Sequence, residues 1–163
     1  MKTLTTLCML TAAYAVTMVA VSPSKADAAD RRVGAGYCYA NVDETQVMNS
    51  GLFTNLNTGG GYYSVQAFCT MPSDSYLSHA AVNTLNIHGY NGLTGSSPAK
   101  ACVTDWSGLA SSCGTTVSTP TGNFSTSMTG TALSAWKANP SWFPYVVVTL
   151  DAGSSLKGFW MST

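Results

Sequence analysis

Charge is what this chain has least of. Only 9% of its 163 residues are Asp, Glu, Lys or Arg, seven basic against seven acidic, where an average soluble protein has about 25%. Without a basic excess there is no field to hold nucleic acid or an anionic lipid surface, and there is no acidic tail. Histidine is scarcer still, at two residues, and proline is held to six. No long stretch repeats its apolar residues at the helical period, which excludes a coiled coil, and there is no internal repeat or low-complexity tract. Low charge does not mean disorder here, because 45% of the residues are hydrophobic and aromatics and β-branched residues are plentiful. The length suits one domain at about 100–200 residues each.

The first residues have the form of an export signal. Lys2 is followed by an uncharged run over 4–21, then by the helix-breaking Ser22-Pro23-Ser24 and the small residues of Ala26-Asp27-Ala28. That run reaches the lower edge of spanning length, about 17–25 residues. Its threonines and the cleavage site after it favour removal over a membrane anchor. The expected organisation is therefore a signal peptide at 1–28 and a secreted β-sandwich domain at 29–163, extracellular or periplasmic, with no membrane contact after cleavage. Cys8 leaves with the signal.

Cys38, Cys69, Cys102 and Cys113 remain, an even number in an oxidising compartment, which argues for two disulfides. Three pairings are open to four cysteines. Cys102–Cys113 is favoured because a hairpin turning through Trp106-Ser107-Gly108-Leu109 sets the two opposite each other. Cys38–Cys69 follows by elimination. There is no Cys-x-x-Cys, so a structural zinc site is not expected.

Short apolar alternations punctuated by Gly, Pro, Asn and Ser read as an all-β chain. The candidate strands are 33–40, 51–55, 62–70, 80–90, 99–105, 110–119, 124–129, 144–151 and 156–162. They predict one antiparallel β-sandwich, jelly-roll-like or immunoglobulin-like, of eight or nine strands. Residues 29–32 read as a mobile lead-in, and Asp151-Ala152-Gly153-Ser154 as a last hairpin turn. Residues 131–139 are the exception, a single helical turn stopped by Pro140, with Trp136 plugging one end of the sandwich. In the last strand Lys157 must reach water, so strict alternation sends Leu156 and Trp160 inward and puts Phe159 and Met161 on the less buried face.

Catalytic chemistry has few parts to work with. Of the acids after residue 28, Asp43 and Glu44 are adjacent and face opposite ways in a strand, while Asp105 and Asp151 sit where turns use carboxylates for backbone hydrogen bonds. His79 and His88 are the only candidate bases, and neither lies near a Gly-x-Ser-x-Gly turn. Two histidines nine residues apart make a poor metal site, and calcium anchored by Asp74 or Asp151 lacks an Asp-rich loop. No metal and no cofactor are expected.

Recognition by rings is the richer signal: four Trp, eight Tyr and five Phe stand among many short hydroxyl and amide side chains. Flat apolar faces beside such groups suit a sugar. The candidate ligand residues are Asn86, His88 and Tyr90, which share one strand face at period two, with Tyr62 or Trp142 at a neighbouring loop. The bland alternative is that Asn86, His88 and Tyr90 are only the solvent face opposite Leu85 and Ile87.

Phe68-Cys69-Thr70-Met71-Pro72, the early Cys38 and the ending Tyr145-Val146-Val147-Val148-Thr149-Leu150 with Gly158-Phe159 resemble a group of small secreted bacterial β-sandwich proteins with paired cysteines. Relatives in that group often carry a cysteine where Val148 stands, a departure that favours the local pairing above. The resemblance implies fold and location and no activity. The leading reading is thus a non-catalytic secreted or cell-surface protein, a binding module or structural component, recognising a neutral glycan or a surface protein. A small secreted hydrolase using His88 is the alternative. N-terminal sequencing of the exported protein should begin at Ala29, whereas a chain retaining Met1 would make the apolar run an anchor.

Overall fold

The computed structural model describes residues 29–40, 46–49, 51–56, 64–92 and 96–163. Among them twelve strands form two antiparallel six-stranded sheets packed face to face, a β-sandwich. In the first sheet β10 (Gly122–Met128), β6 (Thr84–Asn91), β12 (Ser155–Ser162), β4 (Leu52–Asn55) and β3 (Gln46–Asn49) lie in that order, and β1 (Asp30–Gly34) also pairs with β12. In the second, β2 (Cys38–Ala40), β5 (Val65–Thr70), β11 (Phe143–Leu150), β7 (Ser97–Thr104) and β8 (Ser111–Cys113) follow one another, and β9 (Val117–Thr119) pairs with β7. β11 and β12, whose sequences are apolar on both faces at several positions, are interior strands of their sheets.

Alternation builds the core. Val146, Val148 and Leu150 of β11, Ala99, Ala101 and Val103 of β7, and Val65, Ala67 and Cys69 of β5 are all buried. They face Leu85 and Ile87 of β6, Phe124 and Met128 of β10, and Phe53 of β4 across the sandwich. The alanines of the second sheet leave room for the larger side chains of the first. One end is closed by a 3-10 turn (Gly130–Leu133) running into α1 (Ser134–Ala138). As expected, Trp136 is the plug: its side chain is fully buried and its indole Nε1–H donates to the Cys102 carbonyl at 2.8 Å.

Both disulfides join directly opposed residues of neighbouring strands, Cys38–Cys69 and Cys102–Cys113. They face different ways. Cys38 and Cys69 belong to the core, whereas Cys102 pairs in register with the outward Tyr145 and its partner Cys113 is exposed. In the chain-entropy account the longer loop contributes about 3–4 kcal/mol and the shorter about 3 kcal/mol.

Several expectations are corrected. Three long strand readings divide: 33–40 becomes β1, a 3-10 turn (Ala35–Tyr37) and β2, with the chain crossing between sheets at the turn. The stretch 110–119 becomes β8 and β9, broken at Gly114, where a Cβ would collide with the Ala132 carbonyl. The stretch 80–90 opens as a 3-10 turn (His79–Ala81) before β6. Residues 30–32 are no mobile lead-in, because β1 pairs Asp30 with Ser162 and Arg32 with Trp160. The turn at 151–154 is not a hairpin either, since β11 and β12 lie in opposite sheets. It is an arch, anchored where the buried Asn55 donates from Nδ2 to the Leu150 carbonyl and its backbone exchanges bonds with Ser154 and Gly153. Turn chemistry looks the same in a hairpin and an arch, and only the packing of the two sheets separates them.

The last strand holds the most consequential difference. Leu156 pairs with Gly89 and Gly158 with His88, so Lys157 is an extra residue, a β-bulge. Beyond it the alternation reverses. Phe159 and Met161 are buried and Trp160 points outward, 36% exposed, the opposite of strict alternation. Gly158 makes this possible: its φ is +152°, and a Cβ there would run into the Val33 carbonyl of β1. Gly158→Ala should therefore lower unfolding stability by more than about 1 kcal/mol. Gly34→Ala, where nothing lies within 4 Å of the added Cβ, should change it by less than about 0.5 kcal/mol. Urea denaturation of the two variants beside the parent checks the contrast.

Candidate functional sites on the two outer sheet faces

The outer face of the first sheet is laid out in cross-strand rows. Ser127, Asn86, Trp160 and Arg32 stand side by side across β10, β6, β12 and β1. The next row is Ser125, His88, Gly158 and Gly34. Two glycines at the end of that row leave the backbone bare, and a trough of about 540 Å³ opens over them, lined by Arg32, Gly34, His88, Lys157, Gly158 and Trp160 among others. Such a volume lies within the range of small-molecule sites, about 300–1,000 Å³.

Of the residues proposed from sequence, Asn86, His88 and Tyr90 do share this face, and His88 lines the trough. Asn86 accepts a hydrogen bond from the Ser127 hydroxyl. Tyr90 is 41% exposed in the row beyond, paired with Asn123 and Ser155. Trp142 is not brought to them. It precedes β11 of the other sheet and packs, half-buried, against the core. Tyr62 lies outside the described residues.

Sequence reading missed Trp160 and Arg32 at this place, because the bulge reverses one and the pairing of β1 delivers the other. The Arg32 guanidinium carbon lies 5.9 Å from the Trp160 ring centroid, a cation–π contact. Lys157 Nζ donates to Asn123 Oδ1 at 3.3 Å. The face proposed from sequence for a neutral ligand, with a plain solvent face as the alternative, thus carries two cations at the trough, and no described carboxylate lines it.

The outer face of the second sheet has a different chemistry. Tyr39 of β2 stacks on Phe68 of β5 with centroids 5.6 Å apart and planes 20° from parallel. Phe68 stacks in turn on Tyr145 of β11 at 6.4 Å and 29°. Phe143, 60% exposed, continues this strip along β11. The rings border a depression of about 320 Å³ whose other walls include Thr70, Thr104 and Ser111, with no charged side chain among the described lining residues. The Thr104 hydroxyl donates to the Ala110 carbonyl at 3.1 Å, which leaves its oxygen open as an acceptor. At the tip of the adjoining hairpin Trp106 and Leu109 are almost wholly exposed. A signal for this strip did exist in the sequence. If Cys38 and Cys69 face the core, their neighbours Tyr39 and Phe68 must face out.

Of the two histidine rings, the one with hydrogen-bond partners among the described residues is that of His79. Its Nδ1 meets Ser73 Oγ at 2.8 Å and its Nε2 meets the Asn139 carbonyl at 3.2 Å. A carbonyl only accepts, so Nε2 carries a proton, and the Ser73 hydroxyl is free to donate to Nδ1 in the neutral ring. The same Ser73 oxygen accepts the His79 amide at 3.1 Å, and the ring is buried edge-on against Trp136. A serine tied back to the chain and a histidine sealed from solvent lock this loop onto the plug.

Asp105 behaves as the sequence suggests, and Asp74, read from sequence only as a possible calcium anchor, bonds the backbone in the same way. Asp105 Oδ1 accepts the amides of Leu109 and Ala110, and Oδ2 accepts the Ser107 hydroxyl at 2.7 Å. The Ser107 bond, ahead of the backbone amides, lowers the carboxyl below its ordinary value. Asp74 is lowered first by the Leu77 amide and then by Arg31, with which it forms an ion pair at 2.8 Å.

No known protein family and no curated protein matches the chain. Among solved structures it is similar to the C-terminal family 6 carbohydrate-binding module of LamC, a marine laminarinase from Zobellia galactanivorans, at 10% identity and a TM-score of 0.48, over 83% of this chain and 100% of that one. It is also similar to a family 29 carbohydrate-binding module at 12% identity and a TM-score of 0.42, over 84% and 90% of the two chains. A mutant of the family 29 module CBM29-2 gives 12% identity and a TM-score of 0.43, over 84% and 92%. At such identities and scores these likenesses carry nothing about a ligand or a site.

A carboxyl lowered in the folded state stabilises it at all pH values above the ordinary carboxylate value, and that contribution is lost as pH falls through the lowered one. Amide-exchange protection of Leu77, Leu109 and Ala110 should therefore hold steady on acidification from neutrality and fall only below the ordinary 3.8. Hydrogen-exchange NMR across that range checks it, with loss of protection well above 3.8 as the contrary result.

Proposed function

We propose that this chain is a non-catalytic, exported binding module that takes a neutral glycan along the aromatic strip of its second sheet. The observation that carries the reading is the run Tyr39–Phe68–Tyr145, an apolar strip beside an uncharged depression edged by threonine and serine hydroxyls. A sugar presents the same pair of surfaces, an apolar ring face and a rim of hydroxyl groups, so stacking and hydrogen bonding are satisfied together. A contiguous exposed apolar patch on a small protein is itself a mark of an interaction site. The strip stands on paired strands, so its rings are set before the ligand arrives and little ordering cost remains.

Export agrees with the two disulfides, which are bonds of oxidising compartments. No helix among the described residues is long and apolar enough to cross a membrane.

The mature protein should be retained on an insoluble neutral polysaccharide, and retention should change little between roughly 50 and 200 mM salt, since no counterions are released. Replacing Tyr39 and Phe68 together by alanine should weaken retention by about tenfold or more, the scale of a binding hot spot. The denaturation midpoint of that variant tells lost binding from lost fold. Retention that survives the double replacement would sink the assignment to this face.

A further inference from the structure

The trough on the opposite sheet has chemistry that a neutral ligand leaves unused. We infer that it is a second ligand site, specific for a carboxylate carried on a sugar, with Arg32 as the residue that receives the carboxylate.

Three observations converge. First, among the described residues the full charges at the trough are both positive, Arg32 and Lys157, and no described carboxylate lines it, although acids outnumber bases over residues 29–163. Second, the Arg32 guanidinium is held by the Trp160 ring at 5.9 Å, while the ion pair of β1 is made by its neighbour Arg31 with Asp74. A cation–π contact uses none of a guanidinium's N–H donors, and no hydrogen bond or ion pair of Arg32 is found among the described residues. Such a fork matches the two oxygens of a carboxylate. Third, the floor beside it is bare backbone at Gly34 and Gly158, with His88 across the floor as a second ring. A charged group can therefore lie down against the sheet, where a side chain at either glycine would exclude it. Gly158 is required by the bulge, but Gly34 is under no such constraint, since a Cβ there meets nothing within 4 Å.

The carboxylate specificity stands on these contacts alone. That its carrier is a sugar rests on the glycan-binding reading above, and it fits the rings and amides around the trough, His88, Trp160 and Asn86. Arg32 and Lys157 lie on different strands, so they bracket a ligand across β1 and β12 instead of along one edge.

The test uses short oligomers of galacturonic acid and the same oligomers as methyl esters, which keep the ring and lose the charge. The acid form should shift the His88 ring and Trp160 indole signals in NMR titration of the disulfide-intact protein. The ester should bind at least about tenfold more weakly, as should the acid form to Arg32→Gln, the loss expected of a hydrogen bond to a charged group. Gly34→Glu places a carboxylate in the trough and should abolish the shifts. The denaturation midpoint of Gly34→Glu beside that of the parent tells lost binding from lost fold. Acid-form affinity should fall with added salt, unlike retention on the neutral polysaccharide. Equal binding of acid and ester, or shifts unchanged in Arg32→Gln, would overturn the proposal. No acid-form binding would overturn it too, yet leave the neutral-glycan reading standing, because Tyr39 and Phe68 lie on the other sheet. Polysaccharide retention that survives the Tyr39 and Phe68 replacements would remove the aromatic strip as the glycan site, and the acid and ester comparison would still decide the Arg32 contact.

Discussion

One extra residue in β12 governs both the core and the outer face of the first sheet. The bulge at Lys157 and Gly158 reverses the alternation halfway along an interior strand. Its first half puts Leu156 in the core and Lys157 in water, and its second half puts Phe159 and Met161 in the core and Trp160 outside. Without the bulge, two large apolar side chains would face solvent and an indole would have to fit a space shaped for others. The reversal needs a residue with positive φ and with the Val33 carbonyl where a Cβ would stand, which only glycine accepts. The same event creates the trough, because the glycine that permits the bulge also leaves the floor bare.

The two sheets divide the polar and apolar work. The first shows amides, hydroxyls and cations outward, and its single exposed indole is already in contact with a guanidinium. The second shows rings, with a disulfide on the same outer face stapling the hairpin beside them. A small domain with few charges has limited means to hold short, separate strands in place. Here two cross-strand disulfides, a buried indole bonded to the Cys102 carbonyl and an asparagine that ties the arch between sheets supply that rigidity. Sites built on strands supported in this way keep their geometry better than sites on loops.

Much of this was legible locally. The fold class, both disulfide pairings, the Trp136 plug and the backbone-bonding role of Asp105 follow from alternation, cysteine parity and turn chemistry, which act over a few residues. The sharing of one face by Asn86, His88 and Tyr90 follows from period two alone. What surrounds them does not. Arg32 reaches their sheet because β1 pairs with β12 across most of the chain, and Trp160 joins them because a bulge moves it there. Trp142, close to α1 in sequence, packs half-buried against the core instead.

The sequence by itself determined what each short segment prefers: extended strands, most of their punctuation, and which cysteines can meet across a hairpin. Those are consequences of side-chain volume, polarity and local backbone sterics, and they act before any distant contact forms. The tertiary structure alone decided which strands are neighbours, that 151–154 is an arch and not a hairpin, and where alternation slips by one. A bulge is chosen by the fit of one whole strand against both neighbours and the facing sheet. Its energy is spread over contacts from β1, β6 and the core, and no local pattern in the chain records it.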